Sequence, residues 1–413
     1  MTFDLIVKGG LLADSRQADI AIANGKIAAV EPGITAEARE VIDATGRLVS
    51  QPFVDCHFHM DATLSYGMPR VNASGTLLEG ISLWGELKRL QRREDIVARA
   101  LEYCRMAMGK GVLAIRSHVD TTDLTFRTVE ALLEVRETIK GKMDLQLVAF
   151  PQEGWLRSAG GEAQVVRALD AGVDIVGGIP HFERTMADGA AAVRAACHIA
   201  AERGLMVDLH CDETDDPLSR HIETLAAETI AHGLQGRVAG SHLTSMHSMD
   251  NYYVSKLIPL IAEAQVAAIP NPLINITLQG RADTYPKRRG MTRVPELQAA
   301  GVTVAFGQDC VMDPWYPLGS GDMLDVAHMG LHVALMTGTD QMREAFQMVT
   351  AAPARIMGLD FGLHPGARAS LVVLDCATPI DAIRLRPARI AVISDGALVA
   401  RTIPAVTTTA QSW

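Results

Sequence analysis

The chain has 413 residues, 48% of them hydrophobic and 21% charged, with a formal net charge of −10. That composition supports a large core and excludes disorder, and the acidic balance argues against nucleic-acid binding, which needs clustered Lys and Arg. The length exceeds one minimal domain and suits a barrel of roughly 250 residues with a smaller companion.

From the N-terminus, Phe3–Lys8, Ala18–Ala23 and Lys26–Val30 read as short strands rich in Val, Ile and Ala, separated by turns at Gly9-Gly10 and Asn24-Gly25. Asn-Gly between apolar runs predicts a hairpin. The C-terminus has the same texture in Ser370–Leu374, Ile390–Ser394 and Ala397–Thr402. Residues 1–50 and 356–413 are therefore expected to form one β-sandwich domain, interrupted by residues 51–355.

Within the insertion, strands are predicted at Phe53–Cys56, Leu113–Ser117, Leu145–Phe150, Ile175–Gly177, Met206–His210, Arg237–Ser241, Val266–Pro270 and Val302–Gly307. Helices fit Glu94–Met108, Thr125–Ile139, Gly161–Ala171, Ala187–Arg203, Ser219–His232, Tyr252–Ala264 and Asp340–Val349. Alternation of strand and helix implies parallel pairing with right-handed crossovers. Eight such units predict an α/β fold, a (β/α)8 TIM-type barrel.

Six scattered cysteines without a C-x-x-C read as reduced thiols. The N-terminal stretch lacks the pattern of a signal peptide, and no run approaches 18 charge-free apolar residues, so a cytoplasmic protein with no membrane partner is expected. Apolar helices around the barrel are expected to support a homo-oligomer.

Chemistry in such barrels sits at the C-terminal ends of the strands. The first barrel strand runs into His57-Phe58-His59. Residues two apart on a strand share a face, so the two imidazoles project together as half of a metal site. Later strand ends carry His118 and Asp120, Gln152 and Glu153, His181 and Glu183, His210 with Asp212 and Glu213, His242, Asn271, and Gln308-Asp309-Cys310. His118 and His181 read as supporting or capping groups, Asn271-Pro272 as a turn, and Asp212, Asp215 and Asp216 as decoration of a helix start. Three imidazoles and a carboxylate suit a divalent transition ion such as Zn2+ or Fe2+. Glu213, three residues after His210, is placed to move protons.

These residues resemble the amidohydrolase superfamily and, more narrowly, bacterial cytosine deaminases. The likeness rests on Phe150-Pro151-Gln152-Glu153-Gly154, His210-Cys211-Asp212-Glu213, Ser241-His242, Leu278-Gln279-Gly280-Arg281, Asp283 through Gly290, and Asp313 through Gly319, and covers roughly residues 51–340. It implies that His57, His59, His210 and Asp309 bind one divalent metal ion. It implies that Asp309 takes a proton from the attacking water, Glu213 relays protons to the ring nitrogen, and His242 orients the water. Gln152 would hydrogen-bond the pyrimidine, and Leu77, Phe150 and Trp315 would line its pocket. Dinuclear members carry a Lys after strand four; the sequence Ile175-Val176-Gly177-Gly178-Ile179-Pro180-His181 has none, so one ion is expected.

The string after strand eight departs from the family at two positions. Cytosine deaminases read His-Asp-Asp after strand eight, and this chain reads Gln308-Asp309-Cys310. A thiol behaves as a small hydrophobe, so the pocket near the amino group and C5 is expected to be less polar and to favour 5-methylcytosine over cytosine. Other substrates with the same amidine–carbonyl pattern are isocytosine, creatinine and an aminotriazine. A cyclic-amide hydrolase would open the ring instead of releasing ammonia, and a non-catalytic scaffold would bind no metal.

Overall fold

The computed structural model describes residues 2–410. Five strands come first: β1 (Phe3–Leu11), β2 (Gln17–Ala23), β3 (Lys26–Glu31), β4 (Ala38–Asp43) and β5 (Leu48–Ser50). The expected hairpin joins β2 to β3, with Ala23 opposite Lys26. Asn24 and Gly25 both have positive φ, at 52° and 72°, the backbone that a two-residue I′ connection demands.

The barrel follows as β6 (Phe53–Phe58), β7 (Val112–Asp120), β8 (Asp144–Phe150), β9 (Ile175–Gly178), β10 (Met206–Cys211), β11 (Val238–His242) and β12 (Ala267–Ile269). They hydrogen-bond in chain order, all parallel. Helices cover them outside, and β7 is buried at all nine positions, as a strand covered on both faces must be. The helix Arg127–Ile139 shows the matching stripe: Thr128, Ala131, Leu132, Val135 and Ile139 are buried, at helical spacing.

The eighth unit differs from expectation. Residues 302–307 form no continuous strand; single parallel bridges pair Val304 with Ala268 and Asp309 with Phe58. The segment still closes the barrel between β12 and β6. Gly307 explains its departure from ladder geometry, because a Cβ there would stand 2.3 Å from Asn271 Oδ1 and 2.7 Å from His57 Cβ. The chain approaches β6 so closely that only glycine fits.

The last strands, β13 (Leu371–Leu374), β14 (Arg389–Ser394) and β15 (Ala397–Arg401), return to the first five. Together they make one mixed sheet ordered β15-β14-β13-β5-β1-β2-β3, with β4 parallel to β1. Its faces bury separate apolar sets, Leu5, Val7, Ile20 and Ile22 on one and Ile6, Ala21 and Ile34 on the other. Leu48, Val372, Leu374 and Val392 of this sheet belong to the same core as the barrel. All six cysteines are unpaired. Among the described residues no helix is long and apolar enough to cross a membrane.

Sequence patterning missed the helices Leu77–Leu90, Pro272–Leu278, Val294–Ala299, Met323–Val333, Ala351–Ile356 and Pro379–Leu385. The first of these starts at Thr76, whose side chain accepts from the Glu79 amide, and covers the mouth of the barrel.

Candidate metal and active site

The ends of β6, β10 and β11 and the bridge at Asp309 meet at one point. The ring nitrogens His59 Nε2 and His210 Nε2 face each other at 3.0 Å. Asp309 Oδ1 lies 3.5 Å from His57 Nε2 and 3.4 Å from His59 Nε2. One ligand atom from each of His57, His59, His210 and Asp309 falls within 4.8 Å of the others, and all four residues are buried. Metal–nitrogen bonds of about 2.0–2.1 Å in a tetrahedron place ligand atoms about 3.3 Å apart, close to these separations. His57 Nε2 is buried with no hydrogen-bond partner. An orphaned nitrogen aimed at a carboxylate and two further imidazoles fits a bound cation, and the donor set suits a borderline divalent ion.

Two residues at this point are held in left-handed backbone: His242 at φ 68° and Asp309 at φ 69°, with Leu243 following at 55°. Such conformations cost roughly 1–3 kcal/mol each and persist where surrounding structure enforces them. Here they turn side chains at strand ends toward the barrel axis. The amide of Asp309 donates to the His57 carbonyl at 2.8 Å, and the His59 amide donates to the Asp309 carbonyl at 2.9 Å.

His242 and Glu213 stand beside this cluster. His242 Nδ1 is 3.5 Å from Glu213 Oε1, and its Nε2 is 3.8 Å from Asp309 Oδ2. Asn275 Nδ2 lies 3.0 Å from His242 Nδ1, with the Asn271 amide at 3.3 Å. Burial, reinforced by the charge of Asp309, pushes the Glu213 carboxyl well above its usual range. Asp309 goes the other way: burial would raise it, but His57, His242 and His59 outweigh that and hold it low. Two neighbouring carboxyl groups are thus pushed in opposite directions, as an acid and base pair requires. Burial lowers the pKa of His59, His210 and His242, that of His59 to about 4.

A small cavity opens onto these groups, lined by His59, His210, Glu213, His242 and Asp309 together with Gln152, Leu77, Cys310 and Trp315. Ile179, Ile274 and Leu278 complete its wall and were not anticipated from sequence. Gly80 makes room for Trp315, since a Cβ there would lie 2.3 Å from the indole Cδ1. Phe150 is not among the lining residues; it stacks on His210 at 4.2 Å between centroids and backs that ring. Cys310 is 3% exposed, its Sγ is 3.6 Å from Asp309 Oδ1, and burial raises its thiol well above its ordinary pKa. A larger cavity at the opposite end of the barrel, lined by Arg237, Gly301 and Val302, contains none of these groups.

The supporting groups are in place as well. His118 Nε2 is 3.1 Å from His57 Nδ1, and His181 Nδ1 is 3.0 Å from the His210 carbonyl. Asp212 caps the helix His221–Ala231, accepting from Ser219 Oγ, the His221 and Ile222 amides and His221 Nδ1. Asn271, expected only as a turn, also reaches His242.

Comparison with known proteins agrees with this architecture. A 5-methylcytosine deaminase from Klebsiella pneumoniae, solved with phosphonocytosine, superposes with a TM-score of 0.95 at 39% identity, covering 98% of this chain and 100% of that one. The N-isopropylammelide isopropyl amidohydrolase of Pseudomonas sp. (strain ADP) is 28% identical over 97% of this chain and 98% of its own. The pterin deaminase of Rhizobium rhizogenes is 29% identical over 94% and 89%. The profile described as Amidohydrolase family matches residues 40–405, and this chain belongs to that family.

Proposed function

We propose that this protein is a metal-dependent hydrolytic deaminase of a cytosine-like pyrimidine, releasing ammonia, and that 5-methylcytosine is preferred to cytosine. The observation that carries the reading is the cavity, where Glu213, His242, Asp309 and Cys310 converge beside a cluster able to hold an ion. Likeness over the whole chain to a 5-methylcytosine deaminase supports the substrate.

His57, His59, His210 and Asp309 would hold one divalent ion, Zn2+ or Fe2+. Bound there, it would acidify a water and so supply the nucleophile at neutral pH. Gln152 fixes the ring through its carbonyl and ring-nitrogen edge, while Leu77 and Trp315 confine its faces. Asp309 takes the first proton of the attacking water as its oxygen bonds to C4. Protonated Glu213 gives its proton to N3, relieving the electron demand at C4. His242, held by Asn271 and Asn275, orients the incoming oxygen. The proton on Asp309 passes to the amine, the C4–N bond breaks, and ammonia leaves. Glu213 recovers its proton from the C4 hydroxyl, leaving a carbonyl.

Cys310 supplies the substrate preference. A neutral thiol accepts a methyl group as neighbour, whereas a carboxylate needs hydration. The 28% identical N-isopropylammelide hydrolase favours a second reading, a ring of that type. Ammonia release should be measured over cytosine, 5-methylcytosine, isocytosine and creatinine, and isopropylamine release over N-isopropylammelide, before and after chelation. Highest kcat/KM on 5-methylcytosine is expected, with loss on chelation and recovery on adding Zn2+ or Fe2+. A preference for cytosine of about tenfold or more overturns the substrate assignment, and ring opening without ammonia overturns deamination itself.

A further inference from the structure

A polar column runs down the barrel axis beneath the proposed metal centre. His57 Nδ1 lies 2.9 Å from Ser241 Oγ, Ser241 Oγ donates to Asp208 Oδ1 at 2.9 Å, and Arg116 Nη1 donates to Asp208 Oδ2 at 2.9 Å. Arg116 is pinned in turn, giving Nε and Nη2 to Gln146 Oε1 at 3.2 and 3.1 Å and Nη2 to the Ile356 carbonyl at 3.0 Å. His57, Ser241, Asp208 and Arg116 are between 0% and 1% exposed. Barrel interiors are normally packed with branched apolar side chains. A buried ion pair there gains little stability over an apolar replacement, because desolvation offsets its attraction. Its presence calls for a role beyond packing.

The proton count supplies that role. A serine hydroxyl has one hydrogen, and here it goes to the Asp208 carboxylate. The Ser241 oxygen therefore meets His57 as an acceptor, and the ring must present Nδ1–H to it. His118 Nε2 stands 3.1 Å from the same nitrogen. The lone pair of His57 is then fixed on Nε2, the buried atom without a hydrogen-bond partner that faces Asp309.

We infer that Ser241 and Asp208, anchored by Arg116, are positioning residues for the metal centre: they lock the tautomer and orientation of His57. This rests on the metal-site reading above. Partners of this kind behind a ligating histidine are worth about 10- to 100-fold in metal affinity.

The test compares wild type, Ser241→Ala, Ser241→Thr and Asp208→Asn. Each apo protein is titrated with Zn2+ against a competing chelator, and the imidazole 15N shifts of His57 are recorded without metal. Ser241→Ala is expected to bind Zn2+ about 10- to 100-fold more weakly and to lose the pure Nδ1–H signature, with Ser241→Thr restoring both. Asp208→Asn is expected to weaken Zn2+ binding in the same range; if its lost charge leaves Arg116 unpaired and prevents folding, the two Ser241 variants decide. Wild-type affinity in Ser241→Ala, or an unchanged His57 tautomer, overturns the inference. If wild type itself binds neither Zn2+ nor Fe2+, the metal reading fails, and the apo 15N signature still decides whether the column fixes the ring.

Discussion

Replacing Cys310 by aspartate is expected to turn the preference from 5-methylcytosine toward cytosine. The thiol is buried against Asp309, 3.6 Å from its Oδ1, and faces the cavity. Burial keeps it uncharged, so a methyl group set against it loses no hydration. Burying one methyl is worth about 0.8 kcal/mol, a factor of roughly four. Setting that methyl against a carboxylate, which would forfeit a water contact, adds about 1–3 kcal/mol. The kcat/KM ratio of 5-methylcytosine to cytosine should therefore fall by about 2–4 kcal/mol, or roughly 30- to 1,000-fold. The assay is ammonia release from both substrates by wild type and Cys310→Asp, with metal content and Tm measured on the same preparations. A ratio that moves by less than about fourfold in a folded, metal-loaded variant refutes the argument.

Three further outcomes follow from the geometry. Glu213→Gln removes the proton carrier but none of the four clustered ligands, so kcat should fall by about 10²–10⁴ while metal content by elemental analysis stays at the wild-type level; activity within about tenfold of wild type assigns the proton elsewhere. Gly80→Ala forces a Cβ to within 2.3 Å of Trp315; helix propensity gains about 1 kcal/mol and overpacking costs about 1–3, so Tm should change little, and the diagnostic is a raised KM at unchanged metal content. Asp212→Asn replaces the carboxylate that accepts from Ser219, His221 and Ile222, and a lost cap plus one lost charge-assisted bond predicts about 2–4 kcal/mol of destabilisation in denaturant melts.

The parts of the site that were legible in the sequence share one cause. His57, His59, His210, His242 and Asp309 all stand where an apolar strand stops, and strand periodicity with barrel topology assigns such positions to one rim. What escaped was set by packing. Ile274 and Leu278 line the cavity from the helix Pro272–Leu278, which hides behind Asn271-Pro272. That pair reads as a turn, yet proline also suits the first helical position, and only the fold decides between them. The eighth strand was legible as an apolar run but not as two isolated bridges, because the close approach of Gly307 to His57 is a tertiary fact.

The polar column was in fact written in the sequence, in a form that apolar patterning discards. Arg116-x-His118-x-Asp120, Asp208-x-His210-x-Asp212 and Asp55-x-His57-x-His59-x-Asp61 each repeat a polar residue at every second position, and all of these residues are buried. On a strand covered by helices, the alternate face points into the barrel, so such a run carries charge along the axis rather than toward solvent. Buried charge is tolerated only where it is paired, as Arg116 and Asp208 are at 2.9 Å. Polar residues at period two within nominally core strands therefore mark more than the ligands themselves. They mark the layer beneath, which holds the ligand rings in place and connects the chemistry at the rim to the body of the barrel.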